Sequence, residues 1–141
     1  MIYVLDTDHL SILERGGANS RNLQVRLDRV NPEEIATTIV NYGEQMRGWL
    51  AWTATANTIP KLSHAYDRLH GHVRTFARTT ILPFDSAAAD HLQRLYDARI
   101  KVGTMDRRIA AIALAANALL LTRNLADFQR IPGLHVEDWS L

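Results

Sequence analysis

The sequence predicts an α/β protein with a central parallel sheet covered by helices on both faces. Short apolar runs, such as residues 2–5, lack the polar alternation of a half-exposed strand, and this is typical of strands in the middle of a parallel sheet. Between these runs lie longer segments with apolar residues three and four positions apart, which predict helices. Because strands and helices alternate along the chain, a layered α/β arrangement is expected.

Glycine, proline and asparagine mark the ends of the predicted elements. Gly16 and Pro32, for example, follow segments with helical periodicity, where a helix commonly ends. Strands are predicted at residues 2–5, 35–40, 80–82, 118–122 and 134–136. Helices are predicted from Asp8, as the cap, to Gly16, and at residues 21–30, 42–56, 61–78, 86–99 and 104–117.

Length and composition are those of an ordinary globular protein. The 141 residues are 47% hydrophobic and 22% charged, and we expect one domain over residues 1–141. The chain has no cysteine, so a metal would be held by oxygen or imidazole ligands. The first acid comes too early for a signal peptide, and the apolar region 109–121 is too short to cross a bilayer. We therefore expect a cytoplasmic protein without a membrane segment.

Four acidic residues are predicted to meet at one edge of the sheet. Asp6 follows the first strand and Asp127 follows the strand at 118–122, while Glu44 and Asp106 are placed in the first turns of two helices. In open parallel sheets, ligands bind at the carboxyl ends of the strands, near the point where the strand order reverses. The four carboxylates are therefore candidates for a common site.

Each acid taken alone has a structural interpretation. Asp6 could cap a turn, and Glu44 could form a capping box with Asn41. Asp106, in a first helical turn, would be stabilised by the helix dipole. Asp127 could be an ordinary acid of a loop. Together, however, they would repel one another unless a cation compensated their charge. Oxygen ligands suit Mg²⁺ or Mn²⁺, and such an ion can assist the hydrolysis of a phosphodiester.

Several stretches of the chain carry a family resemblance. They read YVLDTDHLS at residues 3–11, EQMRGWL at 44–50, GTMDRRIAA at 103–111 and LTRNLADF at 121–128. In this order and spacing they resemble the PIN domains of the VapC toxin family. The resemblance covers nearly the whole chain and implies a three-layer α/β/α PIN-like fold.

The resemblance also assigns roles to the acids. Asp6, Glu44 and Asp106 match the three central acids of the family, which implies direct metal ligation by Asp6 and Asp106. Glu44 would complete the coordination through water or orient the nucleophile. Asp127 matches the more variable fourth acid.

Neighbouring residues are implied to support the site. Thr122 and Asn124 would position the loop that carries Asp127 and contact the scissile phosphate. Arg107 and Arg123 are placed for phosphate binding, with salt bridges to nearby acids as the alternative. Asp8 has two interpretations, a helix cap, which we favour, or a fifth acid that binds metal.

The implied activity is that of a metal-dependent endoribonuclease that uses a metal-activated water, with RNA as substrate. By kinship we also expect a cognate antitoxin as partner and a homodimer. The alternatives are a PIN nuclease in RNA processing and a catalytically silent PIN binding or repressor subunit. A phosphatase of the haloacid-dehalogenase type is a weaker alternative, suggested by Asp6 and Asp8 after a strand.

Aromatic residues and histidines elsewhere are weaker candidates. His64, His70 and His72 are close in sequence, but their spacing does not place all three on one helical face, so we do not expect a zinc site. Trp49 and Trp52 are interpreted as core or dimer contacts in preference to stacking partners for bases.

Overall fold

Five short parallel strands form the centre of the molecule. The computed structural model describes residues 1–141 and orders the strands β3-β2-β1-β4-β5. All neighbouring strands are parallel. The strands are β1 (Tyr3–Leu5), β2 (Ile35–Thr38), β3 (Thr80–Leu82), β4 (Leu119–Leu121) and β5 (His135–Glu137).

Helices connect the strands. They are α1 (Thr7–Arg15), α2 (Ala18–Leu27), α3 (Ile39–Thr55), α4 (Ile59–Ala77), α5 (Ser86–Asp97), α6 (Thr104–Ala115) and the short α7 (Leu125–Phe128), with a 3-10 helix at Pro32–Glu34. No helix is both long and apolar enough to span a membrane.

The two faces of the sheet bury separate hydrophobic clusters. Val4 and Leu120 pack in one cluster with residues of α5 and α6, while the adjacent Leu5 and Leu121 pack in the other with residues of α1 and α2. Successive side chains of a strand point to opposite faces, so both faces of β1 and β4 are covered. The predicted α/β fold with a central parallel sheet is confirmed.

The start of α3 differs from the prediction. The strand expected at residues 35–40 ends at Thr38, and Ile39 begins the helix. The Thr38 side chain accepts a hydrogen bond from the backbone N–H of Asn41, which makes Thr38 the N-cap residue. The β-branched Ile39 and Val40 favour a strand locally, but this cap overrides that preference. Glu44 therefore lies in the second turn of α3, and the capping box with Asn41 is wrong.

The first two helices also begin earlier than predicted. Asp6, and not Asp8, is the N-cap of α1, because its carboxylate accepts the backbone N–H of Thr7. The favoured cap role of Asp8 is therefore wrong. The second helix begins at Ala18, three residues before the predicted start at Arg21, and its end at Leu27 precedes the predicted Val30.

Replacement of the cap of α5 tests the local energetics of the fold. The Asp85 side chain accepts the backbone N–H of Ala88 at 2.9 Å. We expect Asp85→Ala to lower the free energy of unfolding by about 1 kcal/mol, measured by urea denaturation. Asp90→Ala, at an exposed position of the same helix, is the control. An equal loss in both variants would contradict the role of the cap.

Candidate active site

The site lies at the carboxyl ends of the three central strands. Strand β1 pairs with β2 on one side and β4 on the other, so the strand order reverses around it. Asp6 follows β1, Thr122 follows β4, and Thr38 ends β2. Crevices for ligands form at such reversal points in open α/β sheets.

Asp6 is the central acid of this edge and is only 8% exposed. Its Oδ1 accepts hydrogen bonds from the Thr7 backbone N–H at 2.8 Å and from Asn41 Nδ2 at 2.8 Å, and its Oδ2 accepts the Thr122 hydroxyl at 2.9 Å. Burial, and then the charge of Asp8, raise the pKa of Asp6 despite these donors. Asp6 is therefore held in one orientation and carries a charge that its surroundings destabilise.

Asn41 is a site residue that the sequence reasoning missed. Its fully buried side chain donates to Asp6 and to Thr7 Oγ1 at 3.0 Å, and accepts the Thr38 hydroxyl at 2.7 Å. It thus connects the ends of β1 and β2. The signal in the sequence was Thr38 as an N-cap three residues before Asn41, since this cap places Asn41 inside the helix.

Asp8 contacts the β4–α7 loop. Its Oδ2 accepts the backbone N–H of Arg123 at 3.0 Å and lies 3.2 Å from the Thr122 hydroxyl, while its Oδ1 accepts His9 Nδ1 at 2.7 Å. Burial raises the pKa of Asp8, but the His9 and Arg123 hydrogen bonds outweigh it and the net pKa is lowered. Asp8 therefore connects the loop to α1.

Two further acids are bridged by one amide. Asn124 Nδ2 donates to Asp106 Oδ2 at 3.3 Å and to Asp127 Oδ2 at 3.0 Å. The Asn124 backbone N–H in turn donates to the Thr122 hydroxyl oxygen at 3.1 Å. The hydroxyl of Thr122 and the amide of Asn124 therefore connect the acid on β1 to the acids on α6 and α7.

The charges of the acids affect one another. Burial, followed by the charges of Asp6 and Asp106, raises the pKa of Glu44. Burial, followed by Asp6, Asp127 and Asp8, raises the pKa of Asp106. Glu44 is therefore close enough to Asp6 and Asp106 for their charges to affect its pKa, but it has no hydrogen bond to the other acids. Together these five acids form what we call the acidic edge.

The acidic edge fits a hard divalent cation by chemistry, although it is not closed around one. Its side chains offer carboxylate oxygens, which are ligands that Mg²⁺ and Mn²⁺ prefer. Burial and, after it, repulsion between the carboxylates raise the pKa values of Asp6, Glu44 and Asp106, and a cation would offset that repulsion. No three acidic or histidine side chains converge closely enough to form a complete coordination group. Water would therefore complete the coordination of a bound ion.

The two predicted arginines lie beside the acidic edge without pairing to its acids. Arg107 Nε donates to the Val102 carbonyl at 2.9 Å, and its guanidinium lies 4.8 Å from the Tyr96 ring centre. The Arg123 side chain is exposed. The ion pair of Asp127 is with Arg130, at 4.0 Å.

The raised pKa values predict a pH dependence of stability. The ordinary pKa is 3.8 for Asp6 and Asp106 and 4.5 for Glu44. Because folding raises these values, the three carboxylates bind protons more tightly in the folded protein than in the unfolded chain. Their contribution to stability is present at low pH and is lost as the pH rises from these ordinary values through the raised folded ones. The pKa of Asp8 is lowered, so its contribution to stability has the opposite sign. That contribution is present above the ordinary pKa of 3.8 and is lost only as the pH falls below this value.

We therefore expect Asp106→Asn to melt at a higher temperature than the unmodified protein at pH 7 in metal-free buffer. The difference should shrink as the pH falls through the raised pKa of Asp106, because the carboxyl of the unmodified protein then takes up a proton and loses its charge. Thermal melts across this range measure it, with Asp90→Asn on α5 as the control. A lower melting temperature of Asp106→Asn at pH 7 would show that its charge stabilises the fold.

Asn41→Ala tests the support of Asp6. The substitution removes two donated bonds, one to a buried carboxylate, and leaves the Thr38 hydroxyl without its acceptor. We expect the free energy of unfolding to fall by about 2 kcal/mol, measured by urea denaturation. Asn57→Ala, in the exposed connection between α3 and α4, should change little, and a similarly small effect at Asn41 would contradict the supporting role.

Comparison with known proteins finds that the chain is similar to nucleases of one family. The chain is 34% identical over 68 residues to the tRNA(fMet)-specific endonuclease VapC of Shigella flexneri, and this match covers 45% of the chain and 52% of the relative. The chain thus spans about half the length of the first curated relatives it matches. Ribonuclease VapC1 of Haemophilus influenzae strain R2866 is 24% identical over 99% of both chains.

Solved structures share the fold over the full length. The VapBC-1 structure from nontypeable Haemophilus influenzae matches with a TM-score of 0.77 and 24% identity, covering 100% of both chains. The DNA-bound VapBC of Salmonella typhimurium matches with a TM-score of 0.73 and 25% identity, covering 99% of this chain and 98% of that one. The PIN domain profile matches residues 3–134, and the chain therefore belongs to the PIN domain family.

Proposed function

We propose that this PIN-domain chain is a metal-dependent endoribonuclease and the toxin of a VapBC-type toxin–antitoxin pair. The acidic edge carries this proposal, because it gathers oxygen donors and excess negative charge at the point where strand order reverses. The names of the relatives, ribonuclease and endonuclease VapC, support the same reaction class. Membership of the PIN family removes the haloacid-dehalogenase alternative.

Asp6 and Asp106 would hold Mg²⁺ or Mn²⁺, with Glu44 reached through a water. When bound, such an ion lowers the pKa of a water and neutralises charge on the phosphodiester. Asp6 is suited to ligation because the Thr7, Asn41 and Thr122 donors fix its orientation. Burial and, after it, repulsion from neighbouring acids raise the pKa of both residues, and an ion would offset the repulsion.

The remaining residues would position water and substrate. Glu44 has no hydrogen bond to the other acids, and its raised pKa makes its carboxylate a stronger base toward a water that attacks phosphorus. Asn124 holds Asp106 and Asp127 at one amide, which sets their spacing. The Thr122 hydroxyl donates a hydrogen bond to Asp6, so we assign Thr122 the role of positioning this carboxylate.

A basic groove adjoins Asp127 and is our candidate for the RNA backbone. A cavity of about 500 Å³ is lined by cationic residues together with this acid. The cations are Arg99, Lys101, Arg107 and Arg130. Phosphate contacts of this kind position a strand without reading its sequence, and the groove could hold the strand on one side of the scissile bond.

Protein partners are proposed from the relatives. Solved relatives include toxin–antitoxin complexes, and we infer a cognate antitoxin that covers the acidic edge, and a homodimer. Co-expression of the chain with the product of a short adjacent reading frame, followed by size-exclusion chromatography, tests both. Absence of such a gene and of growth arrest on expression would favour a PIN nuclease in RNA processing.

Removal of the proposed ligands tests the nuclease. We expect Asp6→Asn and Asp106→Asn to remain folded and to lose RNA cleavage by more than about 100-fold, because each loses a ligand worth several kcal/mol at the transition state. Cleavage of total RNA with and without Mg²⁺ or Mn²⁺ measures the loss, and sequencing of the cut ends identifies the RNA. Asp90→Asn is the matched control.

Full metal-dependent cleavage by either variant would overturn the assignment of the acids. A folded unmodified protein that cleaves no RNA with either metal would favour the catalytically silent alternative. Circular dichroism of each variant shows whether a loss of activity reflects a loss of structure.

A further inference from the structure

A second cavity, separate from the basic groove, lies beside the acidic edge between α1, α3 and α4. It has a volume of about 330 Å³, and its walls include Thr7, Glu14, Gln45, Trp49, Trp52 and His72. The Asn41 amide that donates to Asp6 also donates to the Thr7 hydroxyl at 3.0 Å. One residue that lines the cavity, Thr7, therefore directly follows the central acid Asp6 in the sequence. Its size falls in the range of small-ligand sites, about 300 Å³ or more.

Two polar atoms, each buried on a residue that lines this cavity, have no hydrogen-bond partner. They are Gln45 Oε1 and His72 Nδ1, and no other buried side-chain nitrogen or oxygen in the chain is unpaired. His72 is only 5% exposed, and the nearest Glu14 oxygen lies 3.5 Å from its Nδ1. Unpaired buried polar groups are rare and destabilising, and a ligand that paired with both would remove the cost.

The same wall offers flat aromatic surfaces. The rings of Trp49 and Trp52 lie 5.0 Å apart and are inclined by 58°, and the His72 ring lies 4.3 Å from Trp49. Trp52 remains 39% exposed. Gly48 also lines the cavity, and a Cβ atom placed there would meet nothing within 4 Å. A planar ring therefore has both space and a stacking surface.

We propose that this cavity, which we call the α1–α3–α4 pocket, binds one nucleobase of the RNA next to the scissile phosphodiester. The inference rests on the proposed nuclease function. Single-stranded RNA is commonly recognised by stacking a base on an aromatic side chain and pairing its edge with polar groups. The sequence alone favoured a core or dimer contact for Trp52, but its 39% exposure beside the cavity leads us to assign it the stacking surface. Gln45 and His72 would pair with the edge of the base.

Gln45→Met separates base recognition from a structural role. Methionine preserves the length and burial of the side chain but removes the unpaired acceptor, so melting temperature should stay the same or rise. If the residue pairs with a base, the preference for that base at one position beside the cut should fall about tenfold. Gln93→Met, the same change at an exposed position of α5, should keep the preference.

Sequencing of cut ends from a randomised single-stranded RNA, incubated with the purified protein and Mg²⁺ or Mn²⁺, measures the preference at each position.

Trp52→Ala provides a second test, because stacking is tolerant of base identity. We expect this variant to bind all four bases about tenfold more weakly, while keeping the order of preference.

A binding measurement makes the pocket testable without cleavage. The chain has three tryptophans, and Trp139 is buried in the cluster under α1 and α2, so a ligand in the pocket would quench mainly Trp49 and Trp52. Titration with each of the four nucleoside 5′-monophosphates in metal-free buffer should quench this fluorescence in the unmodified protein. In Gln45→Met, discrimination among the four should be lost.

The outcomes separate this proposal from the nuclease function. Quenching that depends on Gln45, in a protein that cleaves no RNA, would support the pocket and overturn the proposed function. Cleavage with the same base preference in Gln45→Met, and no quenching by any nucleotide, would overturn the pocket and leave the nuclease intact. Quenching by a co-purified protein partner but by no nucleotide would also overturn it, because the pocket would then hold a protein side chain.

Discussion

The Asp6 carboxylate is buried at the end of the central strand and accepts hydrogen bonds from three parts of the chain. Thr7 belongs to the helix that follows it, Asn41 to α3, and Thr122 to the end of β4. Burying a charge is costly unless it is well paired, so these donors keep the acid at this position. The same bonds fix the start of α1 and α3 relative to the sheet, and the rest of the site is arranged around them.

The other acids accumulate charge that the fold only partly offsets. Asn124 joins Asp106 to Asp127 with one amide, and the Arg123 backbone N–H and His9 donate to Asp8. Glu44 has no such donor. Pairing therefore lowers the pKa of Asp8, whereas burial and repulsion raise those of Asp6, Glu44 and Asp106. Functional sites commonly carry such perturbed carboxylates, where stability is exchanged for chemistry.

The sequence was most informative where the pattern was regular. Buried strands such as β1 and β4 follow from apolar runs, and the acids after them follow from the rule that ligands bind at the carboxyl ends of parallel strands. The prediction was wrong at residues 39–41, where strand propensity opposed a cap at Thr38, and at Asp8, where two acids competed for one helix start. Such local choices are decided by which side chain is buried and paired.

The sequence by itself determined the layered α/β fold, the family resemblance and the acids that stand at the ends of strands and helices, because periodicity and residue type are local properties. Only the tertiary structure decided that Asn41 supports Asp6, that one Asn124 amide bridges Asp106 and Asp127, and that Gln45 and His72 line a pocket with Trp49 and Trp52. These relations join residues distant in sequence, and they depend on how helices pack against the sheet.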